Sequence, residues 1–163
     1  MTSKKNGEVN EMKWIPADIE MYNGAKDFVD TVLIPLAPIS LDSQMKQSSS
    51  MYEFLAILSA EIERQFKGRI LLMPSLTYLM GEERNYSYAN SWAAKLRENN
   101  FKHVFFLSCD SEWKRCESEL EGGLIWIPSL PLEHLELAQA RSLVSEQVRQ
   151  VMEIFTLNWE KAI

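Results

Sequence analysis

Two cysteines and two histidines are all the thiol and imidazole groups that 163 residues carry. Cys109 and Cys116 therefore cannot build a disulfide framework or a four-thiolate zinc site, and free thiols in a reducing compartment are expected. Neither a spaced histidine pair nor a Cys-x-x-Cys occurs. Long apolar runs are missing too: none reaches the roughly 18 uninterrupted residues of a membrane span, and residues 1–11 are polar where a secretory signal would be apolar. A cytoplasmic location and no membrane span are the expectation. Positive charge is scarce, with 17 Lys and Arg against 23 Asp and Glu for a net charge of −6 at pH 7. The longest basic clusters are Lys4-Lys5 and Lys114-Arg115, too little for the concentrated footprint that a phosphate backbone requires, so no nucleic-acid partner is expected. Glycine is sparse at six residues, and the turn Gly81-Glu-Glu-Arg84 lacks the pattern of a phosphate loop.

What the sequence does have is 46% apolar residues, enough in a chain of this length for one sizeable core. Residues 1–11 have no periodicity and read as a flexible tail. Residues 12–163 read as one domain. Ile19, Tyr22, Ala25 and Val29 predict a helix over 17–30, with Pro16 suited to its first turn. Thr31-Val-Leu-Ile-Pro-Leu36 reads as a buried strand ended by Pro35 and Pro38. Ser50 followed by Glu53 has the form of a capping box, so a helix is predicted to start there, with Phe54, Leu58, Ile62 and Phe66 on its face and Gly68 just past its end.

Arg69-Ile-Leu-Leu-Met-Pro74 reads as the second strand. A helix carrying Tyr88, Trp92, Ala93 and Leu96 then runs to Asn99-Asn100, and His103 to Leu107 forms the third strand. A short helix from Ser111 leads past Gly122-Gly123 to a fourth strand, Leu124-Ile-Trp-Ile-Pro128. Four apolar runs alternating with helices predict an α/β fold: a single-domain three-layer α/β/α sandwich with a mainly parallel sheet of about four strands. Residues 132–159 carry Leu137, Ala140, Val144, Val148, Val151 and Phe155 on one stripe. A helix of about 28 residues would span roughly 42 Å over strands of roughly 20 Å. The expectation is an overhang whose Phe155 and Trp159 are covered by a second copy, giving a homo-oligomer through the C-terminal helix.

Met12-Lys-Trp-Ile-Pro-Ala-Asp-Ile-Glu-Met-Tyr22 and Thr31-Val-Leu-Ile-Pro-Leu36 resemble the opening of the uncharacterised YpiF-like family of small proteins from Bacillus-type bacteria, and the resemblance runs to the C-terminus. That family implies no assigned activity. A more distant resemblance, in strand order and spacing, is to the creatininase and formamide-hydrolase superfamily of metal-dependent amidohydrolases. Its metal ligands would fall in Leu33-Ile-Pro-Leu-Ala-Pro-Ile-Ser-Leu-Asp42, where Ser40 and Asp42 stand in the places of a Glu and a His. Its glycine-rich turn after the third strand corresponds to Ser108-Cys109-Asp110-Ser111-Glu112, with Asp110 where a His would stand. The resemblance implies that fold with the metal chemistry missing.

In a doubly wound sheet of order 2-1-3-4, a ligand crevice opens beyond the carboxyl ends of the first and third strands. The loops there hold Ser40, Asp42, Ser43 and Gln44 on one side and Ser108, Cys109, Asp110 and Ser111 on the other. Candidate catalytic groups are Cys109 as a nucleophile at a helix N-terminus, His134 as its base and Asp110, although Asp110 and Glu112 oppose a thiolate. Equally, Asp110 or Ser111 can cap the short helix while Cys109 is a small buried residue. Asp42, Asp110 and His134, with Glu133 or Glu136, are the candidate metal ligands; no metal and no cofactor are expected. Tyr78, Tyr86, Tyr88 and Trp92 gather after the second strand, which suits recognition as well as packing. The sequence thus points to a non-catalytic domain that binds a small molecule or a protein, on a degenerate creatininase-like fold. The alternative is a metal-assisted amidohydrolase with an altered metal site.

Overall fold

The computed structural model describes residues 11–161, so residues 1–10, most of the expected tail, lie outside the described residues. β1 (Thr31–Ile39) is the hub of the sheet, buried from Thr31 through Pro38. It pairs in parallel with β2 (Ile70–Leu72), β3 (Leu76–Leu79) and β4 (His103–Ser108), and β4 pairs in parallel with β5 (Gly123–Trp126). The order is β2-β1-β4-β5, with β3 beside β1. This is the expected parallel α/β sheet, and its strand order reverses between β1 and β4.

Burial on both faces explains the continuous apolar runs. Side chains alternate across a strand, so Leu33, Ala37, Phe105 and Leu107 face one layer while Val32, Ile34, Leu36, Val104 and Phe106 face the other. The first layer is α2 (Met45–Gln65) with α4 (Leu137–Lys161). The second holds α1 (Pro16–Asn23), α3 (Tyr86–Glu98) and a 3-10 helix, Ser111–Glu119. Gly122 lets the chain enter β5 tightly, since a Cβ there would come within 2.8 Å of the Phe106 ring and of the Val104 carbonyl.

The prolines do not end β1. In a parallel ladder, successive residues bond alternately to the two neighbouring strands. Odd-numbered residues of β1 face β2 and β3: Arg69 O accepts from Thr31 N, and Leu33 O and Ile39 O accept from Met73 N and Met80 N. Pro35 is therefore turned toward Met73-Pro74-Ser75, between β2 and β3. There the register slips, since Leu33 pairs with Leu72 but Leu36 pairs with Leu76. One extra residue sits in the outer strand, a bulge between two halves of one interrupted strand. The missing N–H of Pro35 falls where the ladder is already broken, so the proline costs little.

Three helices differ from the sequence reading. α1 stops at Asn23, and Val29 reaches the core from the connection to β1. α2 starts at Met45, ahead of the expected capping box, so Ser48, Ser49 and Ser50 lie inside it. The buried Ser48 hydroxyl donates to Pro38 O at 2.7 Å and accepts from Ser40 N at 3.0 Å, fastening the helix start to the end of β1. α4 corrects the expected overhang. Its stripe is buried as far as Phe155, whose ring meets Phe105 and Phe66 at centroid distances of 4.6 and 5.1 Å, while Leu137 is exposed. Trp159 donates its indole N–H to Thr31 Oγ1 at 2.8 Å, and the Arg69 guanidinium stacks 3.8 Å from its ring. The segment following α2 supplies the cover that a second copy was expected to give.

Candidate functional site

The reversal of strand order makes β1 and β4 neighbours, with β1 running on to Ile39 past the Pro35–Leu107 pair while β4 ends at Ser108, and the polar residues after each end bond to their own neighbours. At the end of β1, the buried Ser40 donates its hydroxyl to Asp42 Oδ1 at 2.8 Å, and Gln44 N donates to the same oxygen at 3.2 Å. Those bonds hold the Asp42 carboxyl below the usual carboxylate range. Ser43 and Gln44 are exposed, in the turn before α2.

At the end of β4, Asp110 N donates to Ser108 Oγ at 2.9 Å, and Asp110 Oδ1 accepts from Glu112 N at 3.0 Å, which caps the 3-10 helix. Asp110 Oδ2 takes the Tyr78 hydroxyl at 2.7 Å and Arg84 Nε and Nη2 at 2.8 and 2.7 Å. Both members of this ion pair are buried, with side chains 5% and 8% exposed. Arg84 also donates through Nη1 to Met80 O at 3.0 Å and Glu82 O at 2.6 Å, so the turn at Gly81 wraps a buried guanidinium. Burial raises the Tyr78 hydroxyl's pKa, and the Asp110 carboxylate adds to the effect. Tyr78 and Arg84 are members of this cluster that residue spacing did not identify. Ser111, one residue on, is exposed.

Of the catalytic candidates, Cys109 and His134 sit in opposite surroundings, one buried and one exposed. Cys109 packs in the core beneath α2 and α4, and its thiol is pushed up to about 12, first by burial and then by the Asp110 charge. A nucleophile needs the thiolate. His134 stands in the turn before α4 with its side chain 90% exposed, 3.7 Å from Glu133. Among the described residues no three His, Cys, Asp or Glu side chains are grouped to hold a metal, so Asp42, Asp110 and His134 do not converge. Glu133 instead approaches Lys46 at 3.9 Å, and Glu136 is exposed.

The bulge opens space on both faces of the sheet. On the α2 side, a cavity of about 480 Å³ runs from Pro35, Ala37 and Ile39 to Tyr52, Ala56 and Thr77. On the α3 side, a cavity of about 470 Å³ is walled by Ile34, Pro74, Leu76 and Tyr88, together with Trp14, Met73 and Trp92. Those last three also line a neighbouring cavity of about 540 Å³, which continues between α1 and α3 past Tyr22, Leu71 and Phe101. Trp14 and Tyr88 remain 56% and 52% exposed. Of the aromatic group noted in the sequence, Tyr88 and Trp92 are here, while Tyr78 belongs to the Asp110 cluster and Tyr86 starts α3.

Trp14 is set at the cavity by its own segment. Met12 N donates to Glu63 Oε1 at 2.6 Å, Met12 O accepts from Leu72 N at 2.8 Å, and Lys13 N donates to Asp18 Oδ2 at 3.0 Å. Residues 12 and 13 are thus clamped between α2, the edge of β2 and the first turn of α1. No cue in residue spacing announces this clamp, because it joins positions 51 residues apart.

The family described as "Protein of unknown function (DUF2487)" matches residues 20–159. The chain is also similar to the protein named "Uncharacterized protein YpiF" of Bacillus subtilis (strain 168), with 36% identity over 151 residues that cover 91% of this chain and 98% of that protein. No solved structure matches the chain significantly. No helix among the described residues is long and apolar enough to cross a membrane.

Proposed function

The chain belongs to the DUF2487 family, and from that premise we propose that it is a non-catalytic binding domain whose ligand enters the aromatic-walled space between α1, α3 and the bulge. The observation that carries this reading is the pair of cavities sharing Trp14, Met73 and Trp92. Each has the size of a small-molecule site, which runs from roughly 300 to 1,000 Å³, and aromatic walls are typical of such sites. The bulge supports it, since one inserted residue keeps a strand edge from closing against its neighbour. The crevice residues Ser40, Asp42, Ser108 and Asp110 contribute by holding the sheet's carboxyl edge rigid, because their bonds run to Ser48, Tyr78, Arg84 and nearby backbone. The exposed Ser43, Gln44 and Ser111 remain free to meet a protein partner at that edge.

The test is calorimetric titration of the intact chain with decanol, a neutral apolar probe, beside Trp92→Ala. Saturable binding that weakens at least tenfold in the variant is expected, as truncating an aromatic anchor that the ligand covers costs about 2 kcal/mol. Absence of saturable binding overturns the reading. Elemental analysis of chain purified without chelator belongs beside it. About one zinc or manganese per chain, lost on Asp110→Asn, would put the metal-assisted amidohydrolase ahead.

A further inference from the structure

The two cavities differ in charge. The one between α1 and α3 has Lys26 and Lys95 at its wall against one carboxylate, Asp27, with Asn23, Asn99 and Asn100 beside them. The one at the bulge has no charged residue in its lining. Neither lysine is strongly engaged: Lys95 meets Glu98 at 3.3 Å with both side chains mostly exposed, and the Lys26 ammonium lies 5.9 Å from the Tyr22 ring. An exposed pair of the first kind contributes little and is readily exchanged for another anion. Between the basic end and the uncharged end stand Trp14, Met73 and Trp92, common to both walls. The whole chain carries a net charge of −6, so any preference for an anion must come from these local cations and not from the overall field.

Resting on the binding reading above, we propose that the ligand is an amphipathic organic anion, its apolar body lying along Trp14, Met73 and Trp92 into the bulge cavity and its acidic head held at Lys26 and Lys95. A long-chain or aryl carboxylate has this form. The apolar body supplies burial, which does not distinguish head groups. The lysines supply the discrimination, modest because their surroundings are partly wet.

Decanoate, decanol and decylammonium are titrated into the intact chain at low salt, with the indole N–H signals of Trp14 and Trp92 followed by NMR. Decanoate is expected to bind about fivefold more tightly than decanol, and decylammonium more weakly than either. Lys26→Gln/Lys95→Gln, checked for an unchanged circular dichroism spectrum, should lose most of the decanoate advantage, and raised salt should do the same. Equal affinity for decanoate and decanol, or an advantage untouched by the double variant, overturns the anion proposal while leaving the cavity as a binding site. Failure of all three probes to bind overturns the cavity reading itself.

Discussion

Single side chains at the carboxyl edge of the sheet act as a set, and Asp110 is the one on which the others converge. Its carboxylate receives Tyr78, Arg84 and the Glu112 amide in a place with almost no solvent. Arg84→Met leaves a buried charge uncompensated and is expected to cost about 3 kcal/mol by urea unfolding. Arg84→Met/Asp110→Asn should recover much of that loss, because the unpaired charge goes with its partner. Equal destabilisation in the two variants would mean that lost packing of the Arg84 stem, not charge, dominates. Glu63 is the opposite case. Buried, with Oε1 bonded to Met12 N and Oε2 without a partner, its carboxyl is raised above its ordinary 4.5, chiefly by burial. The folded chain therefore binds this proton more tightly than the unfolded chain does. The stability it contributes is present below about pH 4.5 and is lost as pH rises through the raised value. Glu63→Gln should flatten that decline and leave the chain more stable than the parent above it, as read from urea midpoints across the range; an unchanged slope would assign the decline to another group. Asp110 was legible as the polar end of an apolar run and as a helix cap. Tyr78 and Arg84 were not, since they reach it from 32 and 26 residues away.

Among the elements, α4 shows how a long apolar stripe is legible for burial while the residues that cover it are not. Ala140, Val144, Val148, Val151 and Phe155 were all legible from spacing, and all are buried. What covers the last turns is Phe66 together with Arg69 and Thr31, a tertiary arrangement that helical period does not encode. Phe155→Ala is expected to cost about 3 to 5 kcal/mol, since a fully buried ring leaves a cavity lined by Phe66 and Phe105. Trp159→Phe should cost about 1 kcal/mol, since it removes the hydrogen bond to Thr31 and keeps an aromatic ring in place. The comparison is made by chemical unfolding at one protein concentration and repeated at a tenfold higher one. Concentration-dependent midpoints would restore the case for self-association through this helix. The strands were legible in number apart from β3, and in direction throughout. Pro35 and Pro38 misled as to where β1 stops, because a proline ends pairing only where its missing N–H faces a continuing neighbour, whereas β2 does end ahead of Pro74.

For the molecule as a whole, the bulge trades ladder continuity for space. Between Leu33 and Leu36 lie two residues of β1, and between Leu72 and Leu76 lie three, so a chain lacking Pro74 can join β2 and β3 in one register without moving either pairing. Deleting Pro74 should therefore leave the sheet and both helical layers intact. The expected cost in stability is small, about 1 kcal/mol, because the outer strand would place a backbone group opposite Pro35, which has no N–H to answer it. The cavity walled by Met73, Pro74 and Ser75 should close, and with it the path from the basic end to the uncharged end of the proposed site. Decanol and decanoate binding should then fall together, by tenfold or more if burial of the apolar body supplies about 1.4 kcal/mol of their affinity. The check is calorimetry on the deletion variant alongside its unfolding curve. Retained affinity in a folded deletion variant would mean that the ligand lies wholly between α1 and α3, and that the bulge serves the proline of β1 and nothing else.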